Sequence, residues 1–163
     1  EAAIAGTGHG LSDRLVIRAE DRMRGIATSG WRGRSFSLGI ADAVTVLARD
    51  AAAADVAATL IANAVDLPGR PAIRREHACT LQPDTDLGER LVTTDVGLLA
   101  DEEICEALER GLAVAEDYRR RGLIEAAALF LAGQSRDCGN ALPETAAPHD
   151  ASLFKSHTEP QHA

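Results

Sequence analysis

Residues 43–48, AVTVLA, run through Arg49-Asp50 into an alanine-rich stretch from Ala51 to about Val65. This junction constrains the fold more than any other part of the chain. A short uncharged run of small and β-branched residues reads as a buried strand. The Asp50 carboxylate is suited to cap the first turn of a helix. Alanine loses no side-chain entropy on entering a helix, so 51–65 is predicted helical. Its larger apolar residues, Val56, Leu60, Ile61 and Val65, are expected to form the core stripe. Pro68-Gly69 ends the run.

The alanines also temper the composition. Hydrophobic residues make up 45% of the 163 positions, but 31 of them are alanine. Larger apolar residues are therefore about a quarter of the chain, enough for the core of one domain. Around the central junction, LVIRA (Leu15 to Ala19) and Met23 to Ala27 read as a hairpin across Glu20-Asp21. Residues 1–12 read as a Gly-rich loop or the stub of a removed segment. Thr28 to Gly39 is too rich in small residues for a helix. Residues 67–90 hold three prolines and read as an irregular connection with one short strand. LVTTDV (Leu91 to Val96) is a strand candidate. Asp101 is expected to cap a second helix reaching about Arg121, with Ile104, Leu108, Leu112 and Ala115 as its stripe and Gly122 at the C′ position. Ile124 to Leu131 reads as a closing strand. From Gln134 to Ala163 the composition suggests a flexible tail. Strand pairs beside helices predict an α+β fold, a largely antiparallel sheet with helices on one face.

Charge and residue usage exclude several functions. Lys and Arg number 17 against 25 Asp and Glu, a formal charge of −8, and aromatics are 3%. A nucleic-acid binder needs a basic stripe or stacking rings, so no nucleic-acid partner is expected. No apolar run approaches the ~20 residues of a helical membrane span, so no membrane partner is expected either. Cys79, Cys105 and Cys138 are odd in number and far apart. They read as free thiols in a reducing compartment, and a cytoplasmic location is expected. Neither they nor His9, His77, His149, His157 and His162 have zinc-ligand spacing.

Two places carry chemistry. The loop Thr28-Ser29-Gly30-Trp31-Arg32-Gly33-Arg34-Ser35 has the composition of an anion site: glycines admit a phosphate to backbone N–H groups, hydroxyls donate, and arginines pair bidentately. It matches neither the P-loop nor the dinucleotide fingerprint. The alternative is a Gly-rich connector with solvated arginines. On the first helix, Asp55 and Thr59 are four apart and share a face, with Asn63 extending the row. A carboxylate and a hydroxyl so placed could hold Mg²⁺, which takes few protein oxygens and completes its shell with water or phosphate. The alternative is a polar helix edge, with Thr59 bonding back to the helix carbonyls. Asp42, just before the strand, is a further buried-carboxylate candidate and the one nearby candidate for a general base.

GIATSG (Gly25 to Gly30), ADAVTVLA (Ala41 to Ala48) and AADVAATLIAN (Ala53 to Asn63) together resemble the ApbE-like superfamily, whose best-known members are FAD:protein FMN transferases. The resemblance covers roughly Leu15 to Gly133. It is nearest to an uncharacterised cytoplasmic branch, on GRSFSLG followed by ADAVTV and the A-T-x-I-A-N pattern. It implies an ApbE-like fold, with Asp55 and Thr59 at a Mg²⁺ site and Thr28, Ser29, Gly30 and Arg34 beside FAD or another nucleotide. It also implies that residues 1–133 are the C-terminal portion of one ApbE-like domain. The transferases carry an Asp-Pro-x-Thr-Gly segment before the VTV strand, where this chain has WRGRSFSLGIADA. Two functions follow as expectations: a Mg²⁺-dependent transferase acting on a flavin nucleotide or related phosphorylated ligand, or a non-catalytic module binding a phosphorylated small molecule or a partner protein.

Overall fold

The computed structural model describes residues 22–139 and the backbone of 2–4 and 13–15. In chain order the elements are β1 (Ala2–Ile4), β2 (Asp13–Leu15), β3 (Gly25–Ser29), β4 (Ala43–Ala48), α1 (Ala51–Ala64), β5 (Ile73–His77), α2 (Ala78–Leu81), β6 (Leu91–Val96), α3 (Asp101–Arg120), β7 (Ala126–Leu131) and β8 (Gln134–Cys138).

The central sheet is antiparallel with strand order β3-β4-β7-β8. α1 packs on β3 and β4, α3 packs on β7 and β8, and the two helices touch, so both lie on one face. This is the expected α+β arrangement. In register, Val44 pairs with Leu129 and Val46 with Ala127. These four join Ala57, Ala58, Ile61, Ala62 and Leu108 in the main core. Alternation sends Ala43, Ala128 and Phe130 to the opposite face. Every residue of β4 and β7 is buried, which is why neither strand shows a polar–apolar alternation.

The strand–helix junction folds as its residues dictate. Asp50 Oδ1 accepts the Ala53 backbone N–H at 2.8 Å, closing the first turn of α1. Of the expected α1 stripe, Ile61 and Val65 are buried in the core and Val56 and Leu60 are not. The buried residues of α1 are Ala54, Ala57, Ala58, Ile61 and Ala62, with Val65 buried just beyond the helix end. Val56 is 59% exposed and Leu60 46%. Alanine side chains bring the helix backbone close to the sheet, so the small face becomes the packed face. The larger Val56 and Leu60 turn outward.

α3 begins differently from the expectation as well. Ala100 is the N-cap and Asp101 the first helical residue, while Glu103 Oε2 accepts the Ala100 N–H at 3.0 Å. Asp101, Glu102 and Glu103 in the first turn and Arg119 and Arg120 in the last suit the helix dipole. Ile104, Leu108 and Ala115 are buried as expected, joined by Ala107 and Gly111, and Leu112 is partly buried. Gly122 follows with φ +69°, the left-handed conformation a C′ residue takes.

Three other differences concern strands. Residues 2–4, expected within a loop, pair with 13–15. The expected strand Leu15 to Ala19 and its turn lie almost wholly outside the described residues. β3 runs to Ser29, two residues past the expected Met23–Ala27 strand, and its described partner is β4. Gln134–Cys138, expected in a tail, forms β8 on the edge of the sheet. Residues 140–163 lie outside the described residues. The connection 67–90 contains β5 and the short α2, and β5 pairs with β6 through an irregularity between Arg74 and Arg75. Among the described residues no helix is long and apolar enough to cross a membrane.

Candidate functional site

A cleft of about 400 Å³ opens where the end of β3 and the following loop face α1. That volume lies within the range of small-molecule sites. Thr28, Ser29, Gly30, Arg34, Asp55 and Thr59 all line it, together with Arg32, Gly33, Ser35, Asp42 and Ala43. The Gly-rich loop and the Asp55–Thr59 row thus face one space.

The floor of the cleft is close-packed backbone. A Cβ on Gly30 would fall 2.4 Å from the Asp42 carbonyl oxygen, so the loop can cross here only without a side chain. Trp31 N–H donates to Ala41 O at 3.0 Å, and Gly33 N–H to Gly30 O at 3.1 Å. At the far end of the loop, Leu38 N–H donates to Asn63 Oδ1 at 3.0 Å and Ser37 Oγ approaches the same oxygen at 3.4 Å. Asn63 therefore clamps the loop and does not extend a ligand row along α1. Ile40 N–H donates to Val65 O at 2.8 Å, and Thr93 N–H to Ser37 O at 2.9 Å. The loop is thus anchored at both ends, with Gly33, Arg34 and Ser35 between the anchors.

Individual side chains divide into occupied and free. Thr28 Oγ1 shares a hydrogen bond with Thr45 Oγ1 at 2.8 Å, on the face away from the helices. By alternation Ser29 lies on the helix-bearing face, in register with Val44. Both oxygens of Asp42 accept hydrogen bonds. Its Oδ1 accepts from Arg32 Nε at 2.6 Å and from Trp31 Nε1 at 3.2 Å, and its Oδ2 accepts the Ala132 N–H at 2.7 Å. These three donors tie the loop to the β7–β8 turn and leave one acceptor site on Oδ2. Arg32 also lies over the Trp31 ring at 4.8 Å. In contrast, Arg34 and Asp55 line the same cleft without a hydrogen-bond or ion-pair partner among the described residues. The Thr59 hydroxyl likewise makes no bond back to the helix carbonyls there. Asp55 and Thr59 are both exposed on α1.

The donor set limits what cation fits. Among the described residues no group of three His, Cys, Asp or Glu side chains gathers. Asp55 and Thr59 offer one carboxylate and one hydroxyl, hard oxygens that suit Mg²⁺ completed by water and phosphate and do not suit a closed thiolate or imidazole cage.

Elsewhere, a groove of about 290 Å³ lies between α1 and the end of α3, lined by Val56, Leu60, Tyr118 and Leu123 between Arg49 and Arg121. No residue singled out for chemistry lies there. The three cysteines are free. Burial pushes the Cys138 thiol above its ordinary value.

The family model described as AbpE bacteria matches residues 1–137. No curated protein and no solved structure matches the chain.

Proposed function

The chain belongs to the AbpE bacteria family, and from that premise we propose that it is a cytoplasmic binder of phosphorylated small molecules of the flavin-nucleotide class. In this reading Mg²⁺ is held at Asp55 and Thr59 and phosphate meets the loop 28–35. The observation that carries the proposal is the pairing of opposite free charges in one cleft. Among the described residues neither Arg34 nor Asp55 has a counter-ion, and the two do not bridge. A cleft with one spare cation and one spare anion is satisfied by a phosphate that arrives with a divalent cation. The ApbE-like resemblance of Thr28–Gly30, Ala43–Ala48 and Asp55–Thr59 supports the same assignment.

Mg²⁺, when bound, would neutralise phosphate charge and polarise it. The protein's own part is positioning. Asp55 and Thr59 would supply oxygens from α1, and Arg34 would pair with phosphate oxygens. A transferase acting on FAD is the second reading, favoured by the spacing of Asp55 and Thr59. It ranks below simple binding because WRGRSFSLGIADA replaces the Asp-Pro-x-Thr-Gly segment.

Isothermal titration with FAD, FMN and ADP, each with and without Mg²⁺, tests the proposal. Binding strengthened by Mg²⁺ is expected for at least one of them. Absence of binding for all three under both conditions overturns it. Release of FMN or AMP from FAD on incubation with Mg²⁺ would promote the transferase reading.

A further inference from the structure

Asp42 is held from three directions. Its backbone N–H donates to Phe130 O at 2.9 Å, its Oδ2 accepts the Ala132 N–H at 2.7 Å, and its Oδ1 accepts the Trp31 indole N–H at 3.2 Å. The Trp31 backbone is tied in turn to Ala41 O at 3.0 Å. Onto this fixed carboxylate Arg32 docks through Nε alone, at 2.6 Å. The same guanidinium lies over the Trp31 ring, 4.8 Å from its centroid. One N–H and one face of the guanidinium are thus occupied, while Nη1 and Nη2 have no hydrogen-bond partner among the described residues. Arg32, 61% exposed, borders the same cleft as Arg34.

We infer that Asp42 is a positioning residue: it holds Arg32 against Trp31 so that the Nη1–Nη2 edge serves, beside Arg34, as a second phosphate contact ordered before the ligand arrives. The inference rests on the anion-binding reading given above. A guanidinium can grip two oxygens along either of two edges, Nε with one Nη, or Nη1 with Nη2. Asp42 takes Nε with a single oxygen, so the Nη1–Nη2 edge stays whole. Arg32 remains on Asp42 when the ligand binds, and the phosphate oxygens add to the open edge. An arginine on a Gly-rich loop otherwise samples many rotamers, and ordering it costs part of the binding free energy. Anchoring by Asp42 meets that cost during folding, so less is lost on binding. Position matters here because net charge does not help. Arg32 and Arg34 are balanced by Asp42 and Asp55 in the cleft lining, so a phosphate is drawn by where the donors sit and by the cation it brings.

The test titrates the full chain with inorganic pyrophosphate in the presence of Mg²⁺ and reads the heat, with circular dichroism to check that each variant folds. Arg32→Ala should weaken binding about tenfold, as Arg34→Ala should. Asp42→Asn removes the anchor and also one negative charge, so it is read in a double-mutant cycle with Arg32→Ala, in which the charge effect cancels. Asp42→Asn should be less favourable to binding, by at least about fivefold, when Arg32 is present than when it is absent. Equal effects in the two backgrounds overturn the inference, because Asp42 then does not act through Arg32. Arg32→Lys decides the matter if Asp42→Asn fails to fold. It keeps the charge but has no two-donor edge, so it should bind as weakly as Arg32→Ala, and wild-type affinity in it overturns the inference. Wild-type affinity in Arg32→Ala also overturns it; if Arg34→Ala still weakens binding, the cleft reading stands alone. If the wild-type protein binds no pyrophosphate, the inference falls and the nucleotide titrations above decide the cleft reading by themselves.

Discussion

Asp42 Oδ2 accepts the backbone N–H of Ala132 at 2.7 Å, across 90 positions of sequence. Ala132 has φ +48° and Gly133 φ +81°, so the two form the tight turn between β7 and β8 with both central residues left-handed. An alanine there carries a steric cost that glycine does not. The Asp42 hydrogen bond offsets part of that cost, and it fastens the cleft loop to the far hairpin.

Ala132→Gly should therefore stabilise the protein by about 0.5–1 kcal/mol, the scale of relieving a positive φ at a non-glycine residue. Urea unfolding followed by circular dichroism measures it. A midpoint below that of the wild type would show that the Ala132 methyl contributes packing that outweighs its strain.

Asp55→Asn should uncouple Mg²⁺ from nucleotide binding while leaving thermal stability within about 0.5 kcal/mol, because Asp55 is exposed and has no partner among the described residues. A cation held by one carboxylate and one hydroxyl depends on that charge. Titrating ADP at several Mg²⁺ concentrations reads the coupling. Unchanged Mg²⁺ dependence in the variant would remove Asp55 from the metal assignment.

The α1 packing face makes a paired prediction. Leu60→Ala should cost less than about 1 kcal/mol, since Leu60 is 46% exposed and truncation opens no enclosed cavity. Ala58→Leu should cost about 1–3 kcal/mol or more, because Ala58 is 1% exposed in the main core and the added carbons have no room. Chemical denaturation of both variants decides between the alanine face and the larger residues as the packed side.

Asp50 gives a pH dependence of known sign. Its carboxyl is held below the ordinary 3.8, first by the Ala53 N–H it accepts and then by Arg49. A lowered folded value means that the stabilisation is complete above the ordinary carboxylate value and is lost as pH falls through the lowered one. Asp50→Asn keeps an N-cap acceptor and removes the titration. Urea midpoints of the two proteins from pH 7 to pH 2.5 should converge on the acid side. A constant difference across that range would rule out the linkage.

Much of the fold was legible because the relevant forces are local. AVTVLA is β-branched and uncharged, Asp50 can reach the next turn, and the alanines after it have no better use than a helix. LVTTDV forms β6 over the residues expected. The Asp55–Thr59 spacing and the Thr28–Ser35 composition also led to residues that share one cleft. β8 was not legible: QSRDC has no strand pattern of its own and is ordered by pairing with β7.

By itself the sequence determined the elements whose residues decide their own backbone, since helix propensity, capping and β-branching act within a few positions. Tertiary structure alone decided the partners. It turned the alanine side of α1 inward, because backbone approach to the sheet rewards small residues over large ones. It gave Asn63 to the loop at Leu38 and Thr28 to Thr45. It gave Asp42 donors from Trp31, Arg32 and Ala132, and left Arg34 and Asp55 without a charge partner among the described residues. A side chain's partners depend on which distant backbone the fold brings within hydrogen-bond reach, and no local pattern carries that distance.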